Sequence, residues 1–443
     1  MDTFRRVWVQ SKVFRTVLIV AFIWFFLRLT FQIIYTAGAF PELTGESGLP
    51  ADLPVYMAGA QHFQLRQMLY PQDLSDSTAD YPYSPPFAML SEILLWLPAR
   101  WTAMLSLLLI VLAYILIYLQ WMRIFRQLKL PHVEEKMVWL LPVWLIFSPF
   151  WGGISYLNIG VIVALATTLL LRCILEERLG WSVLLLAFLF ISKIMWAFPL
   201  ALPLLLGRRR FFLKLVAFTA AAYLALVGWA MLAAGPAYIV QQYGQYFNHL
   251  NRLTTDFPWS VWSVTPYFGL NHSVKQTVIF ILGDKPWVQQ LATLLKLVLL
   301  IPLIVVSWRL YRHPREVAKY ENPSASLYLE LAFILYLGAF IWLDIVWELL
   351  LGIVIFTYLL ATLEQTWQKW TVWGLFLLYA FLDVIRLVSF AIGGDRVLQM
   401  DGEYVLTDPS IYVPLTLFII LLFYAFLVRR VWRMTKDIST AKV

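Results

Sequence analysis

Long apolar runs, several of them closed by arginine or lysine, constrain this chain more than any other feature. They recur at 13–34, 103–119, 181–206, 211–233, 287–307, 326–342 and 411–428. About 20 apolar residues in a helix span the hydrocarbon layer of a bilayer. A helix also pairs its own backbone N–H and C=O groups, which lipid cannot do for it. The runs are continuous rather than alternating, which excludes a β-barrel. Composition agrees: 61% of the 443 residues are hydrophobic, 14% are charged, and the mean hydropathy is +0.74. Soluble domains carry roughly a quarter charged residues. The expected fold is therefore an all-α polytopic membrane protein, a single transmembrane domain over 1–443, with no separate soluble domain.

Lys and Arg set the expected orientation, because short cytoplasmic loops collect them. Arg5, Arg6, Lys12 and Arg15 precede the first run; Arg208, Arg209 and Arg210 close the run 181–206. Arg309, Arg312, Arg315 and Lys319 form another cluster, and Arg429, Arg430, Arg433 and Lys436 the last. Placing all four inside gives a bundle of about twelve spans with both termini cytoplasmic. The count takes Phe87–Pro98, 137–150, 158–173, 345–362 and 370–390 as further spans. It leaves outer loops at 37–86, 235–286 and 391–410, with amphipathic helices in the first and fourth outer loops, after Asp52 and over Tyr238–Leu253. One connector conflicts with the count: Arg123, Arg126, Lys129 and Lys136 fall outside. The run 13–34 is too long for a cleaved signal and lacks a small-residue cleavage site, so it reads as a retained span. The net charge of +8 follows the span ends and is no nucleic-acid signal. The single cysteine, Cys173, permits no intrachain disulfide.

Ionisable groups in or beside a bilayer are costly, so each needs a reason. The expected outer side offers Asp52, Asp80, His249, Arg252, Asp256, His272, Asp344 and Glu348, while Lys193, Asp383 and Arg386 lie inside apolar runs. An acid at a membrane exit suits a general base acting on a hydroxyl, and a buried cation suits a phosphate. Those two roles are what sugar transfer from a lipid phosphate needs. No GxxxxGK[ST], GxGxxG, DxD, CxxC or HExxH pattern occurs, so no soluble nucleotide donor and no metal is expected. A lipid-borne donor fits that absence.

Several motifs resemble a known family. Asp52, Tyr56 and Ala60 are followed by Leu69-Tyr70-Pro71 and by Tyr81-Pro82-Tyr83-Ser84-Pro85-Pro86. Further on stand Gly152 to Asn158, Lys193 with Pro199, Asn271-His272-Ser273, and Trp347-Glu348. Together they resemble the GT-C superfamily of membrane glycosyltransferases, and within it glycosyltransferase family 87, which includes polyprenyl-phosphate-mannose-dependent mannosyltransferases. Tyr156 stands where that family tends to have Gln, and Leu349 and Leu350 where it has two histidines.

The resemblance implies a metal-independent, inverting transfer of a hexose, mannose first, from a polyprenyl-phosphate sugar to a glycolipid or glycan acceptor. It implies Asp52 as general base and Lys193 as holder of the leaving phosphate, with Arg252, His249 and Arg386 as weaker candidates. Tyr56, Tyr81, Tyr83, Trp347, Glu348, Asn271 and His272 would line the sugar and acceptor pocket. The setting implied is a bacterial plasma membrane with the site on its outer face, membrane lipid as partner, and no cofactor beyond the donor.

Other readings stand beside these. Asp52 followed by Pro54 suits a helix start; the Tyr-Pro cluster suits an interfacial belt. Asp383 and Arg386 have the spacing of a neutralising helical pair. A secondary transporter or flippase would show inverted repeats and broken helices with charge near the midplane. An envelope glycan polymerase or ligase is the third alternative.

Overall fold

The computed structural model describes residues 2–39, 49–50, 52–70, 81–255, 271–312, 323–346, 349–385, 388 and 409–440. All regular structure among them is helical. The chain begins with α1 (Asp2–Gln10) and α2 (Lys12–Thr36), then α3 (Asp52–Gln64), α4 (Pro85–Ser91) and α5 (Ala99–Gln127). A segmented stretch follows: α6 (Pro131–Trp139), α7 (Leu141–Ile146) and α8 (Ser148–Tyr156). Next come α9 (Gly160–Leu175), α10 (Leu179–Ser192), a 3₁₀ helix over Ile194–Ala201, and α11 (Leu202–Leu205). The rest is α12 (Arg209–Ala234), α13 (Pro236–Thr255), α14 (Val274–Leu282), α15 (Pro286–Arg312), α16 (Pro323–Trp342), α17 (Gly352–Thr362), α18 (Thr366–Ala380) and α19 (Pro409–Thr440).

Five helices are long and apolar enough to cross a bilayer: α2, α5, α12, α15 and the Leu415–Thr435 part of α19. The stretch from Pro131 to Tyr156 makes a sixth if its 52° bend is counted within one span. The expected twelve are thus not all present as long helices, and three of the expected spans take other forms. Phe87–Pro98 is the short helix α4 plus one turn of 3₁₀ helix. The run 181–206 breaks at Lys193. In the expected span 345–362, helix begins only at Gly352.

Two compact units make up the chain. One comprises Met1–Leu29, Tyr118–Gly152 and Trp259–Val443; the other comprises Thr30–Ile117 and Gly153–Pro258. In the first, Phe147, Phe356, Phe376 and Phe423 form an aromatic stack, with Phe356 and Phe376 centroids 4.2 Å apart. Helices in lipid gain nothing from apolar burial alone, so close packing and internal hydrogen bonds hold such a core. The irregular backbone ahead of α17 is paired in this way: Leu349 N donates to Tyr379 Oη and Leu351 N to Tyr336 Oη. Arg28, inside the first apolar run, pairs with Asp383 at 3.3 Å and lies over the Trp151 ring. The expected partner of Asp383, Arg386, lies outside the described residues.

The same unit resolves the charge conflict at the connector after α5. Arg6 bonds Glu135 at 3.1 Å, and Arg126 bonds Glu134 at 2.5 Å. A connector held by the N-terminal helix lies on the N-terminal side, so Arg123 to Lys136 do not fall opposite the N-terminus.

In the second unit several helices end in one motif, where the N–H groups of the two residues past the helix reach back to its last turn. It occurs at Arg66, Glu177 and Gly207, and at Leu157, whose φ is 53°. Arg208 then donates to Ile174 O at 3.3 Å and pairs with Glu177 at the same distance. The two ends of the stretch 178–208 therefore meet, and α10 with the 3₁₀ helix and α11 is a hairpin rather than a span. Lys193 sits at its break.

Candidate active site

The candidate site is built where the chain breaks helix on purpose. α8 ends at Tyr156, and Leu157 takes the left-handed conformation that ordinarily belongs to glycine. Leu157 N returns to Ile154 O and Asn158 N to Gly153 O, which sets the backbone of Asn158 rigidly at the turn. A non-glycine residue there costs about 1–2 kcal/mol. Strain of that kind collects at functional positions.

Asp52 is the first residue of α3, with Pro54 in its first turn. Asn158 Nδ2 donates to Asp52 Oδ2 at 2.5 Å. The other end of the same amide accepts twice: from Gly160 N at 2.6 Å and from Lys193 Nζ at 3.2 Å. These bonds also settle which way round the amide lies, since its oxygen faces two donors. Asp52, Asn158 and Lys193 thus form one chain, drawn from segments 106 and 35 residues apart.

Burial raises the Asp52 carboxyl above its ordinary pKa; the Lys193 charge and the Asn158 hydrogen bond pull it back down. Lys193 reaches the amide because α10 stops at Ser192 and Lys193 adopts extended angles, φ −133° and ψ 87°. The freed carbonyls are satisfied locally. Ser84 donates from both N and Oγ to Ile191 O, and Thr167 Oγ1 donates to Trp196 O. Non-helical backbone at membrane depth persists only where it is paired in this way.

One turn after Asp52, Tyr56 accepts from Ile159 N at 3.1 Å and from Tyr83 Oη at 3.3 Å. It ties α3 to the turn that carries Asn158. Tyr70 Oη donates to Tyr83 O at 2.7 Å, and Tyr81 packs edge-on to Tyr83. The Tyr81 ring lies against Gly59, where an added Cβ would stand 2.7 Å from Cδ2. Tyr81 and Tyr83 therefore pack against α3, which carries Tyr56, and all three are buried. His249 belongs to the same group: it is buried, with its ring 5.6 Å from Tyr70. Arg252 follows on the same helix, half-buried.

Asn271 and His272 belong to the other unit. Asn271 Nδ2 donates to Asp344 O, Val346 N donates to Asn271 Oδ1, and His272 N donates to Val346 O. The N-x-S element is thus strapped to the three residues before Trp347 and Glu348, which themselves lie outside the described residues. Burial pushes the His272 imidazole down to about 3, so it is neutral at physiological pH. The carboxylate of Asp344 is held by Lys296 and, at 3.6 Å, by Lys275. Sequence reasoning overlooks both lysines. Lys296 sits inside the run 287–307, where a charge is itself a signal. Asn158, a motif match in the sequence, is the residue that joins Asp52 and Lys193. Asp80 and Asp256 lie outside the described residues. Among the described residues, no group of three or more His, Cys, Asp and Glu converges as a metal site.

A buried carboxylate that touches an amide and lies near an ammonium can, when ionised, take a proton from a hydroxyl. The model of glycosyltransferase family 87 matches residues 81–336, more than half of the chain. The chain belongs to this family. The family match includes Asn158, Lys193 and the tyrosines at 81 and 83, and it begins after Asp52. No curated protein and no solved structure gives a significant match. Family 87 membership and the apolar helices make the chain an integral membrane glycosyltransferase.

Proposed function

We infer that this family 87 enzyme moves a hexose, mannose first, from a polyprenyl-phosphate donor to a glycolipid or glycan acceptor, with Asp52 as general base. The chain Asp52–Asn158–Lys193 carries the reading. In it, Asp52 takes the proton of the acceptor hydroxyl. The hydroxyl oxygen attacks the anomeric carbon as the bond from that carbon to the phosphate oxygen breaks. Attack from the face opposite the phosphate inverts the configuration, and the polyprenyl phosphate leaves. Asn158 aims the carboxylate, and the Lys193 charge offsets part of the rise that burial imposes on its pKa. The same ammonium favours the departing phosphate. The base is the carboxylate alone, and no step is assigned to a metal.

The positive-inside rule extends this reading to topology. With α4 and the Lys193 hairpin taken as re-entrant, the four basic clusters and the connector after α5 all lie on one side. That arrangement has ten crossings, counting α2, α5, the stretch from Pro131 to Tyr156, α9, α12, α15, α16, α17, α18 and α19. It leaves Asp52 and Asn158 on the opposite, outer face.

The break at Lys193 also suits a transporter, where broken helices carry charge near the midplane. One assay separates the two. The purified enzyme in lipid nanodiscs is given polyprenyl-phosphate mannose, arabinofuranose or glucose with membrane-extract acceptors, and the product is read by NMR. Transfer from one donor with inverted anomeric configuration is expected. Failure to transfer or bind any donor, with solute uptake in sealed vesicles instead, would replace the glycosyltransferase reading by the transporter.

A further inference from the structure

At the C-terminal end of the last helix lies a pocket of about 210 Å³ that the proposed chemistry does not use. Arg429, Arg430 and Arg433 line one wall; Glu364, Gln365 and Gln368 line the other. The three arginines are not equivalent. Arg430 is committed to the protein: it pairs with the fully buried Glu330 at 2.8 Å and caps α17 through Thr362 O and Oγ1. Its charge is cancelled and its position fixed. Arg429 and Arg433 stand one helical turn apart, both exposed. Like charges at that spacing repel. Glu364 returns one negative charge, so the pocket keeps an excess of one cation.

Exposed tryptophans stand next to the pocket. Trp367 and Trp370 beside it are 59% and 72% exposed, as tryptophans at a membrane interface are. Trp367 also packs against Phe426, one of the lining residues. Arg309 closes the end of α15 and stacks 3.7 Å above the Trp432 ring, so a fourth arginine stands near this end of the last helix.

We propose that the pocket of Arg429, Arg430 and Arg433 binds the phosphodiester headgroup of an anionic membrane lipid. Arginine presents a planar fork of donors that matches phosphate oxygens. Arg430, held in place by Glu330, supplies a pre-set donor at the pocket floor, and Arg429 and Arg433 supply the charge. Glu364 and the two glutamines suit headgroup hydroxyls at the opposite wall. A basic cluster that only orients the chain needs charge and no cavity; this one has both. The proposal is independent of the sugar-transfer reading.

The test uses the full chain, stripped of lipid and titrated with phosphatidylglycerol or phosphatidylcholine, with retained lipid counted by native mass spectrometry. Phosphatidylglycerol is expected to remain bound one to one, in preference to phosphatidylcholine. Juxtamembrane arginines near an anionic surface act at about fivefold each, so R429Q/R433Q is expected to weaken retention about 25-fold. R429K/R433K, which keeps the charge, is expected to retain most of it. R209Q/R210Q removes two exposed charges elsewhere and is expected to leave retention unchanged. Equal losses in R209Q/R210Q and R429Q/R433Q, or no preference between the lipids, would overturn the proposal. Displacement of the lipid by millimolar inorganic phosphate would overturn the headgroup as the source of the anion.

Discussion

Replacing Asn158 by alanine removes the residue that joins base to cation. Its amide donates to Asp52 at 2.5 Å and accepts from Lys193 at 3.2 Å and from Gly160 N at 2.6 Å. A hydrogen bond to a charged group contributes about 1.5–3 kcal/mol. If that stabilisation serves the ionised base in the transition state, N158A lowers kcat/KM by about 10- to 150-fold. The pH profile gives a second, independent signature. The Asn158 bond lowers the Asp52 pKa, so its loss raises it. A base must be deprotonated to act, so the acid limb of the profile moves to higher pH. The loss of activity is then largest at low pH and partly recovers as pH rises. The assay is transfer from a polyprenyl-phosphate sugar in nanodiscs across a pH series, with thermal unfolding as the control for folding. In an Asp52→Asn background the same change is expected to add less than twofold, because the two residues act as a unit. A profile that falls equally at every pH, or full additivity with Asp52→Asn, would refute the linkage between Asn158 and the base.

Further outcomes follow from other contacts. Lys193→Gln removes the charge that pulls the Asp52 carboxyl down, so the acid limb again moves to higher pH; an unmoved limb would separate Lys193 from the base. Gly59→Ala drives a methyl into the Tyr81 ring and is expected to destabilise the protein by about 1–3 kcal/mol, read as a lowered Tm. Arg66→Gly replaces an exposed residue at φ 54° by the one residue unstrained there, and is expected to raise stability by up to about 1 kcal/mol. Arg28→Met leaves Asp383 buried without its cation and is expected to cost about 3–5 kcal/mol, most of which Arg28→Met with Asp383→Leu restores in thermal unfolding.

The class of fold is legible in the sequence because hydropathy reports the solvent directly. The apolar runs that became α2, α5, α12 and α15 needed nothing else. The span count was less legible, because a broken helix and a spanning helix have the same composition. The run 181–206 is uniformly apolar on either side of Lys193, yet it turns back at that residue. Only the pairing of Arg208 with Glu177 and Ile174 O reveals the return. The basic connector after α5, at odds with the twelve-span count, is tied to the N-terminal helix by the Arg6–Glu135 pair.

The site shows the same division. Asp52 and Lys193 stand out as charges where charge is costly. Asn158 does not, since an asparagine at a helix end is ordinary, and only its position opposite Asp52 gives it a role. Lys296 was within reach of the same rule that singled out Lys193, but its run ends in a strong basic cluster that draws the eye to topology. Its partner Asp344 was noted, and the pair is what braces the segment ahead of Trp347 and Glu348.

The central claim is that Asp52 is the base. Its most direct test is Asp52→Asn, which keeps the shape of the side chain and removes its basicity. Transfer from the polyprenyl-phosphate donor and donor binding are measured on the same nanodisc preparation. Transfer is expected to be lost while donor binding and thermal stability remain near wild type. Transfer at a rate close to wild type in Asp52→Asn would contradict it.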